Sequence, residues 1–264
     1  MIVTLLTDYG LRDEFVGVCH GVIRRIAPNA AIVDLTHGIP RHGVREGALT
    51  LRNALPYSPP GVHVAVVDPQ VGTERRAVAL RCAEDDRVLV GPDNGLLALA
   101  WERFGGVVEA VDVSRSPHRL EPLSATFHGR DVFAPVGAAL AAGEPLGDAG
   151  DPLDPDELTP LELPEPRREE GTLVAHALTI DGYGNVALNV AHEDALGAGI
   201  RLGDSVRVNS HVGTVVQTFA DVSAGELLLY EDAWQSLALA VNRGDAAELL
   251  RLRPDDEVRL APHR

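Results

Sequence analysis

The strand-like segments in the first part of the chain are apolar along most of their length instead of alternating between apolar and polar residues. Two of them, "MIVTLLT" (residues 1–7) and "VHVAVVD" (residues 62–68), are almost continuous runs. Strands of this kind are buried on both faces, so they belong to a sheet with helices on either side. The pattern predicts an α/β fold, with an N-terminal layered domain built on a mostly parallel central sheet.

Helix-like segments alternate with these strands. Residues 12–27 carry apolar side chains at helical spacing and are followed by the strand-like "AAIVDLT", which makes a β-α-β opening. Further helices are predicted over residues 43–56, 95–104 and 131–142, and further strands at "AVALRC", "RVLVG" and "VVEAVDV".

The composition of the sequence changes after residue 145. Residues 146–171 are rich in proline and acids and have little apolar periodicity, which predicts a linker. Short β-type segments separated by Gly, Asp and Asn turns follow, and they are typical of a small β-barrel-like domain. We therefore expect an N-terminal α/β domain over 1–145, the linker, and a C-terminal β domain over 172–264.

Composition excludes several classes of partner and compartment. The chain has 264 residues and a formal net charge of −16, with no basic stripe, so we expect no nucleic-acid partner. Two cysteines form no disulfide framework, and the amino terminus lacks the basic start and long apolar run of a signal peptide. We expect a cytoplasmic protein without a membrane partner.

Acidic residues follow three of the predicted strands. Asp8 follows the first strand, Asp34 ends the second shortly before His37, and Asp68 follows the third. Each acid alone is a common turn or helix-capping residue, but ligands of such sheets bind beyond the carboxyl ends of the strands. No Gly-rich phosphate motif follows the first strand, so a ligand held by its phosphates is not expected.

Two stretches of the sequence carry the residues that are best suited to catalysis. "VVDPQVGTERR" brings Arg75 back toward Asp68 across a glycine-containing turn, and "TFHGRDVF" places His128 just before a predicted helix. The pair can be a surface ion pair, and a lone histidine near a helix start is more often structural. A catalytic role requires that His128 meet Asp68 and Arg75 in space.

His37 and His42, together with His128 or Asp68, are candidates for a metal site. His37, His42 and His128 have irregular spacing on separate elements, which is a weak metal signal compared with a motif such as H-E-x-x-H. We therefore expect no metal.

Seven motifs together resemble one family. They are "TDYGLRDEF", "DLTHGIP", "VVDPQVGTER", "GPDNGLL", "TFHGRDVFAP", "TIDGYGNVALN" and "LALAVN". Their order and spacing are similar to those of the S-adenosylmethionine (SAM) hydrolases, also called SAM hydroxide adenosyltransferases, which are related to the SAM-dependent fluorinase and chlorinase. The resemblance implies hydrolysis of SAM to adenosine and L-methionine without a cofactor. It also implies a homotrimer, with each SAM site between one subunit's N-terminal domain and a neighbour's C-terminal domain.

The resemblance also implies roles for individual residues. Asp68, Arg75 and His128 correspond to the family's water-handling trio. Trp234 lies in "DAWQSLA", where the family has an Asn-Ser run, and could replace it by packing or by a cation–π contact. The remaining substrate contacts implied are Asp8 for the ribose, Asp13 for the ammonium end, Phe127 for packing, Asp181 and Asn185 for methionine and adenine, and Phe219, Val241 and Asn242 for the adenine pocket.

Two alternative functions stay open. A SAM-dependent halogenase would deliver chloride to C5′, but the halogenase relatives have tyrosine where Asp68 stands, and a carboxylate there repels a halide. A non-catalytic SAM- or adenosine-binding protein would retain the pocket without turnover, although it would have no need of the complete trio.

Overall fold

The structure, a computed structural model, describes residues 1–263, and the chain divides into two compact units. The first unit is Met1–Leu161, and the second begins at Glu162. This boundary lies inside the segment for which the sequence predicts a linker. The segment carries regular structure in both units, because residues 151–153 form a strand of the first and residues 167–169 form a strand of the second.

The first unit is built on a seven-stranded sheet with the strand order β2-β1-β3-β5-β4-β6-β7. The strands are β1 (Ile2–Thr7), β2 (Ala31–Thr36), β3 (Val62–Val66), β4 (Ala77–Cys82), β5 (Val88–Pro92), β6 (Val107–Asp112) and β7 (Asp151–Leu153).

Parallel pairing covers only half of this sheet. The β2–β1, β1–β3 and β3–β5 pairs are parallel, whereas the β5–β4, β4–β6 and β6–β7 pairs are antiparallel. The connection from β4 to β5 is too short for a parallel crossover, so these two strands form a hairpin. The predicted layered α/β fold is confirmed, and its sheet is mixed rather than parallel throughout.

Helices cover both faces of the sheet, as continuous apolar strands require. They are α1 (Phe15–Ile26), α2 (Val44–Ala54), α3 (Ala98–Arg103) and α4 (Ala134–Ala142), the last preceded by a π-helical turn at Gly129–Phe133. Alternate residues of one strand enter two cores: Val64 packs in the cluster with α1 and α4, and Ala65 in the cluster with α2 and α3.

The second unit is a β-barrel. Its elements are β8 (Arg167–Glu169), β9 (Thr172–Ile180), β10 (Val186–Ala191), α5 (His192–Gly197), β11 (Ser205–Val208), β12 (His211–Val215), β13 (Leu227–Glu231), β14 (Ser236–Val241), α6 (Ala246–Leu250) and β15 (Glu257–Pro262). Strands β10-β14-β13-β12-β11-β15-β9 pair in that order, and a β9–β10 pairing closes the ring of seven. The predicted β-barrel-like domain is confirmed.

Buried side chains fill the barrel in the period-two pattern of half-buried strands. On β10, for example, Val186, Leu188 and Val190 point into the core while the residues between them are half-buried. In the described part of the chain, no helix is both long and apolar enough to cross a membrane.

Candidate active site

The acids that follow the first three strands lie at one edge of the sheet. Strands β1, β2 and β3 are parallel neighbours in the order β2-β1-β3, so their carboxyl ends point the same way. Asp8 and Asp68 follow two of these ends, and Asp34 lies near the third. This is the edge at which α/β sheets bind ligands.

The first unit brings Asp68, Arg75 and His128 into one hydrogen-bonded cluster. Arg75 Nε lies 3.0 Å from Asp68 Oδ1 and 3.1 Å from Oδ2, and Arg75 Nη2 also donates to Oδ2. The same Nη2 lies 2.9 Å from His128 Nδ1. The side chains of Arg75 and Asp68 are only 5% and 6% exposed. The ion pair is therefore buried, which rules out the alternative of a surface ion pair.

A glycine turn makes this cluster possible. Gly72 has a φ of +81°, and a Cβ atom on it would collide with the carbonyl oxygen of Ala125. Only glycine adopts this conformation without strain and lets the two backbones approach so closely. The turn returns the chain from Asp68 to Arg75 and lets it pack against the segment that leads to His128.

Asp131 holds that second segment in place. Its carboxylate is 1% exposed and accepts a hydrogen bond of 2.8 Å from the backbone N–H of Ser124. Arg130 Nε donates to the other carboxylate oxygen, Oδ1, at 2.6 Å, and the backbone carbonyl of Asp131 accepts from Leu120 N–H at 2.7 Å. Asp131 therefore positions the loop before His128.

The surroundings of His128 favour its neutral form. Burial and the nearby Arg75 guanidinium lower the pKa of His128, and Asp68 and Asp131 oppose this shift without reversing it. Because Arg75 Nη2–H is a donor, Nδ1 of the neutral ring accepts and the ring proton lies on Nε2. His128 therefore has one N–H left to offer a ligand.

Arg75 and His128 face a pocket of about 330 Å³ in the first unit. Thr73 and Ser114 line it as well and were not among the residues predicted from the sequence. Both are small hydroxyl residues in turns, where they are common for purely local reasons, so their sequence carried no usable signal. Ser114 Oγ accepts from Ala77 N–H at 2.9 Å, which ties it to the start of β4.

The predicted ribose and packing residues lie near the same edge. Asp8 Oδ2 accepts from His42 N–H at 3.0 Å, and Asp13 is exposed in the turn before α1. Phe127 packs with Tyr9 and Phe15, with ring centroids 5.8 and 5.1 Å away. Tyr9 was not predicted, although its place in "TDYG" beside Asp8 offered a signal.

A second pocket, of about 560 Å³, lies on the barrel unit. Asp181, Asn185, Phe219 and Val241, all predicted from the resemblance, line it together. Residues that were not predicted also line it, namely Tyr183, Arg243 and Gly244.

In this pocket the carboxylate of Asp181 accepts hydrogen bonds from residues of its own turn. Asp181 Oδ1 accepts from Tyr183 N–H at 2.8 Å and from Asn185 N–H at 2.9 Å, while Oδ2 accepts from the Asn185 side chain at 2.8 Å. The turn is thus held by the two residues predicted to bind substrate, and each keeps acceptor capacity for a ligand.

Two predicted residues lie apart from the lining of this pocket within the described chain. Asn242 donates its side-chain N–H to the carbonyl of Val222 at 2.7 Å, so it holds a loop. Trp234 is 44% exposed in the turn between β13 and β14, and its backbone N–H donates to Asp232 at 2.8 Å. The resemblance assigned both positions, and their roles in substrate binding stay predictions.

Fold and site define a class of two-unit proteins in which an α/β unit carries a buried carboxylate–guanidinium–imidazole cluster and a closed β-barrel unit carries a pocket with an aromatic wall. Family models match both units: the SAM hydroxide adenosyltransferase N-terminal domain over residues 3–150 and the C-terminal domain over residues 175–259. The chain belongs to the SAM hydroxide adenosyltransferase family.

Individual relatives agree with this assignment. A Salinispora tropica protein named (R)-S-adenosyl-L-methionine hydrolase is 47% identical over 259 residues, covering 98% of this chain and 97% of the relative. A crystal structure of an uncharacterised conserved protein from Thermotoga maritima matches with a TM-score of 0.90 and 36% identity, covering 99% of this chain and all of that one. A fluorinase from an Actinoplanes species is less similar, at 31% identity over 93% of this chain and 92% of its own.

Proposed function

We propose that this protein hydrolyses SAM to adenosine and L-methionine by attack of a water molecule on C5′ of the ribose. One observation carries the proposal: the half-buried His128 joins the buried Asp68–Arg75 pair in a single hydrogen-bonded cluster at the edge of the sheet where α/β proteins bind ligands. Membership of the family and the name of the Salinispora relative support it.

The cluster divides the handling of the water molecule between two side chains. Asp68 uses both oxygens to pair with Arg75 but has free lone pairs, so it can accept a proton from water. His128 can donate Nε2–H to the oxygen of the same water, because its Nδ1 is occupied by Arg75. This geometry favours Asp68 over His128 as the proton acceptor.

The reaction balances without an acid or a cofactor. The water oxygen forms a bond to C5′, the C5′–S bond breaks, and its electron pair stays on sulfur as the neutral thioether of methionine. The water's proton passes to Asp68 and then to solvent. Arg75 fixes the carboxylate and stabilises hydroxide-like character in the transition state. Negative charge developing on the water meets the positive sulfonium, so a pocket with little water accelerates the step.

The two units supply different parts of the substrate site. Asp8 binds the ribose hydroxyls, Asp13 the ammonium group, and Phe127 packs against the substrate. On the barrel, the pocket lined by Asp181, Asn185, Phe219 and Val241 takes the adenine and methionine parts, and Phe219 supplies an aromatic face. Asn242, next to Val241 in the chain, holds the loop at Val222 with its side chain, and Trp234 is a packing or cation–π contact of the substrate.

The assembly we propose is a homotrimer in which each complete site uses the N-terminal domain of one subunit and the C-terminal domain of the next. Light scattering should give three times the 28.1 kDa mass of one chain. Mixing Asp68→Asn subunits with Phe219→Ala subunits should restore activity, because some sites then combine two intact halves. A monomer, or no recovery after the subunits have exchanged, would contradict this assembly.

The buried free thiols of Cys19 and Cys82 favour the reducing cytoplasm.

Product analysis separates this function from its alternatives. The purified protein is incubated with SAM, with and without chloride, and the products are separated by chromatography. Adenosine and methionine in equal amounts, independent of chloride, support hydrolysis. A chlorinated adenosine would establish the halogenase, and unchanged SAM with measurable binding would establish a binding protein. The Asp68 carboxylate disfavours a halide at this position.

The dependence of activity on pH should report the state of His128. Protonation would place a positive ring against the Arg75 guanidinium, so turnover should fall as the pH drops through the pKa of His128. This pKa is lowered by burial and by Arg75, so the acidic limb of kcat should lie below about pH 6.5. NMR titration of the His128 ring should give the same midpoint, and Arg75→Gln should move it to higher pH. A midpoint above 6.5 in the unaltered protein would contradict this electrostatic account.

A further inference from the structure

Two histidines and an aspartate form a second cluster at the carboxyl end of β2. They are His20 on α1, Asp34 on β2 and His37 just after β2. His20 Nε2 lies 2.8 Å from Asp34 Oδ1, and His37 Nε2 lies 3.1 Å from the same oxygen. The three donor atoms all lie within 4.8 Å of one another.

His37 differs from an ordinary core histidine because one of its buried ring nitrogens has no hydrogen-bond partner. Its side chain is 3% exposed, and the buried Nε2 atom has no hydrogen-bond partner, because its contact with Asp34 lacks hydrogen-bond geometry. Its Nδ1 lies 2.8 Å from Thr7 Oγ1. When Nδ1–H donates to that hydroxyl, the lone pair of Nε2 faces Asp34, and a ring N–H held by a hydroxyl or carbonyl is a usual feature of metal-binding histidines.

We propose that His20, Asp34 and His37 form a binding site for one divalent transition-metal ion, of which Zn²⁺ is the best match. With the ring proton of His37 on Nδ1, a nitrogen lone pair and a carboxylate oxygen face each other across 3.1 Å, and a cation between them removes that repulsion. Two imidazoles and a carboxylate are a common zinc ligand set, and donors at 2.0–2.1 Å from zinc stand roughly 3.3 Å apart. The two imidazole–carboxylate distances of 2.8 and 3.1 Å are within about 0.5 Å of this value, and the one-third-exposed His20 side chain can adjust the third.

The sequence predicts no metal, because its histidine pattern groups His37 with residues other than His20 and Asp34. The sequence groups His37 with His42, His128 and Asp68, and the irregular spacing of that set predicts no metal. The parallel pairing of β1 with β2 and the packing of α1 bring His20 to Asp34 instead. No short motif links the three ligands, so only the fold reveals them.

The ion would stabilise the start of the substrate-binding edge without taking part in the reaction. His37 is tied to the loop after β1 twice, since its carbonyl accepts from Gly10 N–H at 2.8 Å and its ring contacts Thr7. Fixing His37 therefore fixes the loop that carries Asp8. The protein's net charge of −16 also attracts cations to its surface.

Metal titration of the purified protein tests the site without using activity. Chelator-treated protein is titrated with ZnCl₂ by calorimetry and with CoCl₂ by visible absorption. One equivalent should bind, with cobalt d–d bands of a nitrogen- and oxygen-ligated ion, and the melting temperature should rise. His20→Gln and Asp34→Asn should each weaken binding by more than about 100-fold, because even an outer partner of a ligand accounts for 10- to 100-fold.

The matched control is His192→Gln. His192 pairs with Glu231 at 3.2 Å on the barrel surface and belongs to no described three-ligand cluster, so its loss should leave metal affinity unchanged. Circular dichroism confirms that each variant is folded, and His20 suits substitution because it is partly exposed. The proposal is overturned if folded wild-type protein binds no stoichiometric metal, or if binding survives both His20→Gln and Asp34→Asn.

Discussion

Asp68→Asn is expected to lower kcat for SAM hydrolysis by about 10²- to 10⁴-fold, the usual contribution of a general base. Asparagine keeps the size of the side chain but cannot accept the proton of the attacking water. The loss should therefore arise in the chemical step. The KM for SAM should stay close to the wild-type value, because Asp68 is assigned to the water and not to the substrate.

Steady-state assays of adenosine release measure this effect. The matched control is Asp151→Asn, which also removes a carboxylate paired with an arginine, but from an exposed pair in which Asp151 is 67% and Arg115 82% exposed. The control should keep wild-type kinetics. A raised KM with an unchanged kcat in Asp68→Asn would assign Asp68 to substrate binding and remove it from the reaction.

Arg75→Ala is expected to destabilise the first unit by about 3–5 kcal/mol, because it leaves the buried carboxylate of Asp68 without its partner. The same change should abolish turnover, since Asp68 and His128 both take their orientation from Arg75. Urea unfolding at pH 7, followed by circular dichroism, measures the change in the free energy of unfolding.

A double-mutant cycle makes this prediction specific to the pair. Asp68→Ala/Arg75→Ala should lose less stability than the two single changes together, because no buried charge is left alone. Arg115→Ala, which breaks the exposed pair with Asp151, should cost no more than about 1 kcal/mol. Strictly additive losses at Asp68 and Arg75 would show that the two side chains do not act as a pair.

Much of the fold could be predicted because local patterns and burial agree. The continuous apolar run at residues 62–68 became β3, whose alternate residues enter cores on opposite faces of the sheet. The acids after β1 and β3 then share an edge as a direct result of parallel pairing. The helix predicted over residues 12–27 is observed as α1 at Phe15–Ile26.

Other elements depend on contacts that no local pattern encodes. Strand β7 is three residues long in a proline-rich segment, and its pairing with β6 comes from the sheet edge it meets. Closure of the barrel requires β9 to pair with β10 as well as with β15, which is a property of the whole ring.

The side chains of the candidate sites also divide into those that a local sequence pattern predicts and those that only the fold brings together. The Asp68–Arg75 pairing could be predicted from a short turn, whereas His128 joined it only through a contact 53 residues away along the chain. The grouping of His20 with Asp34 and His37 depends on how α1 packs over the sheet. Arg243 was missed in the barrel pocket because a charged residue after a strand is ordinarily a turn residue.

Hydrolysis of SAM in ¹⁸O-labelled water tests the central claim most directly. If an activated water attacks C5′, mass spectrometry should find one ¹⁸O atom in the 5′-hydroxyl of adenosine and none in methionine. Adenosine without the label, or labelled methanol together with S-adenosylhomocysteine, would show that the bond to C5′ is not formed by water at this site.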